Sequence, residues 1–359
     1  MLSERFSRRA PLLSRPSEAP NCGLRSLSAL LTGQPRREPL FVVDLPSGMG
    51  GGPELDFLEL RMLELQGIAD LSVVAESGYS FRGDQKPRLF RSNSRHFEEM
   101  KASESIGDFH YLDMERCEKY VKQIMETRRK HPSEQALWGI QNTQRHCLWQ
   151  LLDEDRPDLP ENAMVIFSDL DEIPSREVMM AMKHCEWKRP EDRFRLKQRT
   201  VSYNLRQVSE GSPKGCFPKT PWIQGAFIRL GWARAQLKKD EFIPLRMGND
   251  VSMLEGGAIH LSYFGSAASL MLKGLQHGEG GGLMLPGSMS LCNRSSRDAS
   301  EILRVFRDDP VRYVRSWEHK SHPLPPKVSM EDLKSCAVPS ALVENPKRYA
   351  DFWGLDSEP

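Results

Sequence analysis

The sequence has no excess of charge of either sign, and this limits the partners it can bind. Its 359 residues include 50 Lys and Arg against 49 Asp and Glu, a formal net charge of +1 at pH 7. Nucleic-acid-binding proteins draw much of their affinity from clustered Lys and Arg, which release counterions from phosphates. The balanced charge therefore argues against a dedicated nucleic-acid-binding protein, while 39% hydrophobic residues is ordinary for a globular domain.

Long apolar runs and paired cysteines are also missing. No uninterrupted apolar stretch of the sequence reaches about 18 residues, the minimum for a helix that crosses a bilayer. The seven cysteines are scattered without a CxxC pair, so their spacing predicts neither a zinc site nor a disulfide framework. Because the count is odd, at least one thiol stays free if the other cysteines pair. The cysteines alone therefore assign the protein neither to an oxidising nor to a reducing compartment.

The first 39 residues have few acids and many prolines and serines. They include seven Arg, three acids, five Pro and six Ser, a composition that buries too little apolar surface to fold alone. We therefore expect residues 1–39 to be a disordered or targeting tail. Residues 40–359 are long enough for two domains or one large domain, and we expect one large domain.

Strand and helix patterns alternate from residue 40 onward. A short apolar run at 40–44 predicts a buried strand, the three- and four-residue apolar spacing at 54–66 predicts a helix, and 71–75 predicts a second strand. Such a βαβ unit implies parallel strands. Further on, 163–167 reads as a buried strand, and Ser175 can cap a helix over 176–184. We expect an α/β fold with a mostly parallel central sheet flanked by helices.

Three acids, Asp169, Asp171 and Glu172, directly follow the strand predicted at 163–167. Ligands of open α/β sheets sit beyond the carboxyl ends of the strands, and hard divalent cations take oxygen ligands and bridge to phosphate. The Asp-x-Asp pattern therefore predicts a metal–diphosphate site. The alternatives are two aspartates that merely cap a turn, and a phosphatase with Asp169 as nucleophile. The second alternative is disfavoured because Glu172 follows the second Asp where that class has a small pair such as Gly-Thr.

Nine short strings together resemble one known family in order and residue type. They are Glu54-Leu-Asp-x-x-Glu-Leu-Arg61, Val73-Val-Ala-Glu-Ser77, Tyr79-Ser-Phe-x-Gly83, Lys86-Pro87, Gln144-Arg145, Ser168-Asp-Leu-Asp-Glu-Ile-Pro174, Trp222-Ile-x-Gly225, Gly257-x-x-His-Leu-Ser-Tyr-Phe-Gly265 and Asn345-Pro-x-Arg-Tyr-x-x-Phe352. The family is the β-1,4-mannosyl-glycoprotein 4-β-N-acetylglucosaminyltransferases, glycosyltransferase family seventeen. The resemblance runs from about Leu40 to Phe352.

The resemblance implies a GT-A-like, nucleotide-sugar-binding fold and an inverting transfer. N-acetylglucosamine would move from UDP-GlcNAc to the 4-hydroxyl of a β-linked mannose in an N-glycan or glycoprotein acceptor, with Mn²⁺ or Mg²⁺ as cofactor. It also implies a Golgi lumen or membrane location, although the sequence shows no anchoring helix. Another UDP-sugar or acceptor, a phosphohydrolase and a non-catalytic glycan-binding relative remain open.

The resemblance also implies roles for particular residues. Asp169 and Asp171 would hold the metal, directly or through water, and His260 would contact the metal or diphosphate. Glu172 would either support the metal ligands from behind or contact a sugar hydroxyl. The other expected nucleotide-binding residues are Asp44, Glu54, Asp56, Arg61, Glu76, Lys86 and Trp222. The candidates for the general base are Asp250 and Glu255. The alternatives are an Arg61–Glu64 ion pair, a buried Trp222, a structural His260, and solvated loop charges at Asp250 and Glu255.

Overall fold

An eight-stranded sheet lies at the centre of the structure, and a two-stranded sheet lies beside it. The computed structural model describes residues 19–48, 54–80, 83, 85–128, 134–202, 223, 225–239, 251–262, 338–346 and 348–349. The strands in these residues are β1 (Leu31–Pro35), β2 (Val42–Ser47), β3 (Leu71–Glu76), β4 (Phe109–Asp113), β5 (Met164–Asp169), β6 (Glu172–Pro174), β7 (Cys185–Trp187), β8 (Arg193–Ser202), β9 (Ala226–Arg229) and β10 (Ser252–Ser262).

Helices flank the sheet on both faces. The α-helices in the described residues are α1 (Glu54–Glu64), α2 (Leu89–Ser92), α3 (Ser94–Ala102), α4 (Glu118–Arg128), α5 (Glu134–Asp155), α6 (Arg176–His184), α7 (Leu230–Lys238) and α8 (Ser340–Glu344). Short 3-10 turns at Arg25–Leu27 and Met114–Arg116 complete the set. Within the described part of the chain, no helix is both long enough and apolar enough to cross a membrane.

The large sheet has the strand order β4-β3-β2-β5-β9-β8-β10-β6. Four of its seven described pairings are parallel, and the pairings of β9 with β5 and β8 and of β6 with β10 are antiparallel. The predicted α/β fold with a mostly parallel sheet is therefore confirmed. Because β2, β3, β5, β8 and β10 run in the same direction, their carboxyl ends lie at one edge of the sheet.

Most of the predicted elements appear near their predicted positions. The βαβ unit is present as β2, α1 and β3, and α6 begins where Ser175 accepts a hydrogen bond from the backbone N of Val178. The segment 248–256, expected to be a loop before His260, already belongs to β10 from Ser252 onward. Strand β4 and the helices α2 and α3 were not predicted in the polar stretch after β3.

Apolar side chains pack on both faces of the sheet. Helices α4, α5 and α7 cover one face, where Trp149 of α5 meets Phe167 of β5 edge-on with ring centroids 5.1 Å apart. Helices α1, α2, α3 and α8 cover part of the other face, and α6 covers the rest. Burying a large apolar side chain of this kind stabilises a fold by about 1.5–3 kcal/mol. The sheet is thus held between two helical layers, and the loops at its carboxyl edge are left to form a site.

The segment 19–39, expected to belong to a tail, is instead packed on the domain. Its strand β1 pairs antiparallel with β7, and Leu27 and Leu31 are buried. A disulfide between Cys22 and Cys185 joins it to the start of β7. Composition suggested a tail because the segment has little apolar surface of its own; its core contacts come from residues far along the chain. Residues 1–18 of the expected tail lie outside the described residues.

A second disulfide joins Cys117, just before α4, to Cys147 in α5. The Cα atoms are 5.4 Å apart in the Cys22–Cys185 pair and 6.0 Å apart in this one, within the usual range for disulfides. The bonded cysteines are separated by 163 and 30 residues. No spacing rule links residues at such distances, which explains why the sequence predicted no framework.

Candidate active site

The structure brings the three acids and His260 to the carboxyl edge of the sheet. Strand β5 ends at Asp169, Asp171 lies in the turn that follows, and β6 runs back from Glu172. In the antiparallel pairing of β6 with β10, Glu172 stands opposite His260. Residues 168–172 are called the acidic turn below. The edge expected to bind a ligand is therefore where four of the predicted site residues meet.

Asp169 is held by two neighbouring side chains. The Nη2 of Arg145 in α5 donates to both carboxylate oxygens, at 2.8 and 2.9 Å, and the Oγ of Ser47 at the end of β2 donates to Oδ1 at 2.7 Å. Burial alone raises the pKa of this carboxyl, but the charge and hydrogen bonds of Arg145 outweigh burial, so the pKa of Asp169 lies below its ordinary value. Asp169 is therefore an ionised, oriented carboxylate.

Asp171 stands next to His260. The His260 Nε2 lies 3.7 Å from Asp171 Oδ1, and the two side chains are 12% and 14% exposed. The backbone N of Leu261 donates to the Asp171 carbonyl at 2.8 Å, which ties the acidic turn to β10. A distance of 3.7 Å is too long for a direct hydrogen bond.

The Asp171–His260 pair fits a divalent cation as two of its ligands. Ligands about 2.1 Å from a small divalent ion can lie up to about 4.2 Å from each other, and carboxylate and imidazole are both ligands of such ions. The described residues contain no group of three or more His, Cys, Asp or Glu side chains that could hold a metal. Two protein ligands are enough for Mn²⁺ or Mg²⁺ only if water and phosphate oxygens complete the coordination.

Arg61 of α1 lies beneath the acidic turn and is completely buried. Its Nε and Nη2 donate to the Asp44 carboxylate at 2.7–2.9 Å. Its Nη1 donates to Ser168 Oγ at 2.8 Å and to the carbonyls of Glu172 and Asp169 at 2.7 and 3.2 Å. Arg61 thus pairs with Asp44 rather than with a helix acid. Since neither side chain is exposed, the two residues expected to contact a nucleotide instead hold the acidic turn in place.

Glu172 also acts inside the acidic turn. Its side chain is fully buried, and its Oε2 accepts a hydrogen bond from the backbone N of Asp169 at 3.2 Å. The carboxylate expected to contact a sugar hydroxyl therefore lies within the turn.

Lys86 and Glu54 form a second charged pair at the N-terminal end of α1. The Lys86 Nζ lies 4.0 Å from Glu54 Oε2, and their side chains are 2% and 5% exposed. Within the described residues the Lys86 ammonium has no hydrogen-bond partner, although buried polar groups are almost always hydrogen-bonded. Seven residues of helix, about 10 Å, separate Glu54 from Arg61. The pair therefore carries a buried cation whose hydrogen-bonding capacity is left for another group.

Several predicted residues lie elsewhere. Glu76 is fully buried and accepts hydrogen bonds from the backbone N atoms of Phe90 and Arg91 at 2.8 and 3.2 Å, so it caps α2. Asp56 of α1 lies close enough to Arg348 to help raise the pKa of that guanidinium. Trp222 and Asp250 lie outside the described residues.

Glu255, the other expected general base, does not reach the acidic turn. It forms an ion pair with Lys197 at 2.8 Å, and its side chain is 47% exposed. Leu254, the residue before Glu255, and His260 pair with Leu196 and Thr200 of β8, which are four residues or about 13 Å apart along that strand. The structure therefore places Glu255 away from the edge that gathers the other predicted site residues.

Sequence reasoning missed three residues that shape the site: Ser47, Arg145 and Ser168. Ser47 is the last residue of β2, and its position at the carboxyl edge could have marked it. Arg145 lies in one of the strings that carried the resemblance, but no local pattern connects it to Asp169, 24 residues away. Its contact depends on how α5 packs against the sheet.

The structure has a large mixed β-sheet flanked by helices, and the acidic turn lies at the carboxyl edge of that sheet. This arrangement is consistent with the glycosyltransferase class of fold. Residues 51–211 match the family model of glycosyltransferase family 17, which confirms the resemblance seen in the sequence motifs. The matched segment includes the acidic turn, Arg61, Lys86 and Arg145 but ends before His260. A comparison with curated proteins found no match to this chain.

Proposed function

We propose that this glycosyltransferase moves N-acetylglucosamine from UDP-GlcNAc to the 4-hydroxyl of a β-linked mannose in an N-glycan, with inversion. The family match supports glycosyl transfer, and the sequence resemblance supplies the donor and acceptor. The observation that carries the proposal is the Asp171–His260 pair, 3.7 Å apart beside the ionised Asp169 at the carboxyl edge. This combination suits a divalent cation that binds a diphosphate.

Asp171 and His260 are the residues we assign to Mn²⁺ or Mg²⁺. A bound ion would neutralise the negative charge that develops on the departing UDP. Asp169 already accepts three hydrogen bonds, from Arg145 and Ser47, so its contact with such an ion is best made through water. This assignment divides the two aspartates of the motif into one metal ligand and one oriented neighbour.

Lys86 is the residue we assign to the diphosphate or to another anionic part of the donor. Its ammonium is buried beside Glu54 and has no hydrogen-bond partner in the described part of the chain. A buried charge that lacks hydrogen bonds is costly, and a phosphate oxygen is an acceptor that would offset the cost. Arg61 and Asp44 keep the acidic turn fixed beneath the donor.

The acceptor hydroxyl must lose a proton to a general base within hydrogen-bond reach. Glu255 already pairs with Lys197 at 2.8 Å and is 47% exposed, which argues against it. Asp250 remains the candidate for this role.

The geometry around Asp169 argues against the phosphohydrolase alternative. An aspartyl nucleophile needs an oxygen free to attack phosphorus, but both Asp169 oxygens accept hydrogen bonds from Arg145, and Oδ1 also accepts one from Ser47. These contacts orient and neutralise the carboxylate, which lowers its nucleophilicity. They fit a positioning role in a transferase better.

The disulfides support a place in the secretory pathway. Cys22–Cys185 and Cys117–Cys147 are of the kind that persists in oxidising compartments. We propose the Golgi lumen, where glycoprotein acceptors are processed; attachment to a membrane rests on the family resemblance alone.

Calorimetry with UDP, with and without Mn²⁺, tests the proposal on wild type and Asp171→Ala. We expect metal-dependent UDP binding that Asp171→Ala abolishes. The control is Asp158→Ala, since Asp158 forms an exposed ion pair with Arg156. A donor-by-acceptor screen, with the product linkage determined by NMR, then identifies the sugar and the hydroxyl. Metal-independent binding would favour a non-catalytic relative, and a phosphorylated Asp169 would establish the hydrolase.

A further inference from the structure

The C-terminal segment, residues 338–346 and 348–349, packs on the side of α1. We call it the C-terminal clamp. Glu59 of α1 is completely buried, and its carboxylate accepts hydrogen bonds from Arg348 Nε at 2.7 Å and from the Tyr349 hydroxyl at 2.8 Å. His96 of α3 completes the cluster, with its Nε2 2.7 Å from Glu59 Oε2. A buried carboxylate in α1 is thus neutralised by a residue almost 290 positions later.

The clamp meets α1 a second time at its end. Ser340 Oγ and the backbone N of Ala341 donate to Glu64 Oε1 at 3.0 and 2.6 Å. Ala341 and Leu342 are buried in the same apolar cluster as the side chains of α1. The two contacts fix about one and a half turns of helix.

Arg61 lies between these two contacts in sequence. Successive helix residues are rotated by about 100°, so Arg61 points about 160° away from Glu59 but only about 60° away from Glu64. The C-terminal clamp therefore contacts α1 opposite Arg61, at Glu59, and beside Arg61, at Glu64. Arg61 in turn supports the acidic turn through Ser168 Oγ and the Glu172 carbonyl.

We infer that the C-terminal clamp positions the acidic turn through α1, with Glu59, Arg348 and Tyr349 as positioning residues. When the clamp is intact, α1 stays at the distance from the sheet at which Arg61 can donate its hydrogen bonds to the acidic turn. Without Arg348, a buried carboxylate lacks its counter-charge, and α1 shifts to let it reach water. The effect on metal and donor binding rests on the proposed function; the effect on the turn does not.

Hydrogen exchange of the peptide 168–174, measured by mass spectrometry, tests the inference. In wild type the backbone N of Leu170 donates to the Ser47 carbonyl at 2.9 Å, so this amide reports on the turn. We expect Arg348→Ala to raise exchange in this peptide about tenfold, with partial recovery in Arg348→Lys. The control is Arg95→Ala, which breaks an ion pair on α3 whose arginine is 92% exposed and leaves exchange unchanged.

A second readout is the Mn²⁺ concentration that half-saturates UDP binding, measured well below the unfolding temperature. We expect it to rise about tenfold in Arg348→Ala. Tyr349→Phe removes one hydroxyl and keeps the Arg348–Glu59 ion pair. If Arg348→Ala fails to fold, a smaller rise in hydrogen exchange of the peptide 168–174 in Tyr349→Phe supports the inference, and no rise contradicts it.

Faster exchange confined to the C-terminal clamp and α1, or a uniform increase over the whole protein, would overturn the inference. If wild type binds no UDP with Mn²⁺, the proposed function fails, but the exchange experiment still decides whether the clamp positions the turn.

Discussion

The two sides of the acidic turn carry similar charges in different geometries. On the inner side, Arg61 meets Asp44 and Arg145 meets Asp169 through paired hydrogen bonds of 2.7–2.9 Å. On the outer side, His260 and Asp171 are 3.7 Å apart. The Lys86–Glu54 pair, at the first turn of α1, has a similar separation of 4.0 Å. All these side chains are largely buried, so exposure does not distinguish the two sides.

The difference shows which charges shape the turn and which are left for a ligand. An ion pair with paired hydrogen bonds recovers much of the cost of removing both charges from water, and it resists rearrangement. A buried pair at 3.7–4.0 Å recovers less, because no direct hydrogen bond forms. A cation coordinated by Asp171 and His260, or a phosphate beside Lys86, would add contacts to those that the side chains already make. The following substitutions test this division.

Arg61→Met should have the largest effect, because it leaves the Asp44 carboxylate buried without its counter-charge. Breaking a buried pair on one side costs about 3–5 kcal/mol. We expect a loss of this size in the free energy of unfolding, measured by urea denaturation followed by tryptophan fluorescence.

The matched control for this substitution is the double variant Asp44→Leu/Arg61→Met. Replacing both members of a buried pair by apolar residues removes the stranded charge, so the part of the loss due to the unpaired Asp44 carboxylate should return. The part due to the hydrogen bonds from Arg61 Nη1 to Ser168 and Glu172 should remain. A single variant that loses less than about 1 kcal/mol, the usual worth of an exposed pair, would show that the inner pair is not what holds the turn.

Asp171→Asn and Asp169→Asn should separate the two aspartates of the motif. We expect Asp171→Asn to weaken Mn²⁺ binding in the presence of UDP about a hundredfold and to change the unfolding free energy by less than about 1 kcal/mol. Asp169→Asn should instead destabilise the fold by about 2 kcal/mol, because Arg145 loses a charged acceptor. Calorimetric titration and urea denaturation measure the two quantities. Equal effects of both variants on metal affinity would contradict the division.

Arg145→Met should make stability depend differently on pH. In wild type the pKa of Asp169 lies below its ordinary value of 3.8, so its contribution to stability is present above that value and is lost as pH falls through the lowered pKa. In the variant, burial without Arg145 raises the pKa of Asp169, so the carboxyl takes up a proton at higher pH. We expect a deficit of about 2 kcal/mol at pH 7 that shrinks as pH approaches 4.

Urea denaturation at several pH values measures this change. Arg156→Met is the matched control, since it breaks the exposed Arg156–Asp158 pair and should show almost no deficit. A deficit for Arg145→Met that stayed constant down to pH 4 would show that Asp169 does not titrate with Arg145.

Local patterns were enough to predict the elements that carry the site. The acids of the turn follow a buried strand, and Ser175 caps the helix that begins at Arg176. Both features depend on periodicity and capping within a few residues. They place Asp169, Asp171 and Glu172 at the carboxyl edge of the sheet.

The partners of the charged residues could not be predicted in the same way. Arg61 was expected to contact a nucleotide, or else to pair with Glu64 in its own helix, but it reaches Asp44 in β2 and Ser168 in β5. Arg145 finds Asp169 only because α5 packs on the sheet beside β5. Likewise, residues 19–39 looked too polar to fold, and their contacts with β7 come from tertiary structure. The spacing of residues along the sequence does not indicate which distant residues are in contact.

Lys86→Met should have a smaller effect on stability than Arg61→Met, and it should weaken UDP binding. Lys86→Met leaves the buried Glu54 carboxylate without its counter-charge. Because the Lys86 ammonium lies 4.0 Å from Glu54 Oε2 and has no hydrogen-bond partner in the described residues, less attraction is lost than at the hydrogen-bonded Arg61–Asp44 pair, and the cost in stability should stay below about 3 kcal/mol. One charge-assisted hydrogen bond to a phosphate is worth about 1.5–3 kcal/mol, so UDP affinity should fall about tenfold. Lys101→Met, which breaks an exposed pair with Asp108, is the matched control. If Lys86→Met lost as much stability as Arg61→Met but bound UDP as tightly as wild type, the Lys86–Glu54 pair would belong with the contacts that shape the fold, and Lys86 would have no role in donor binding.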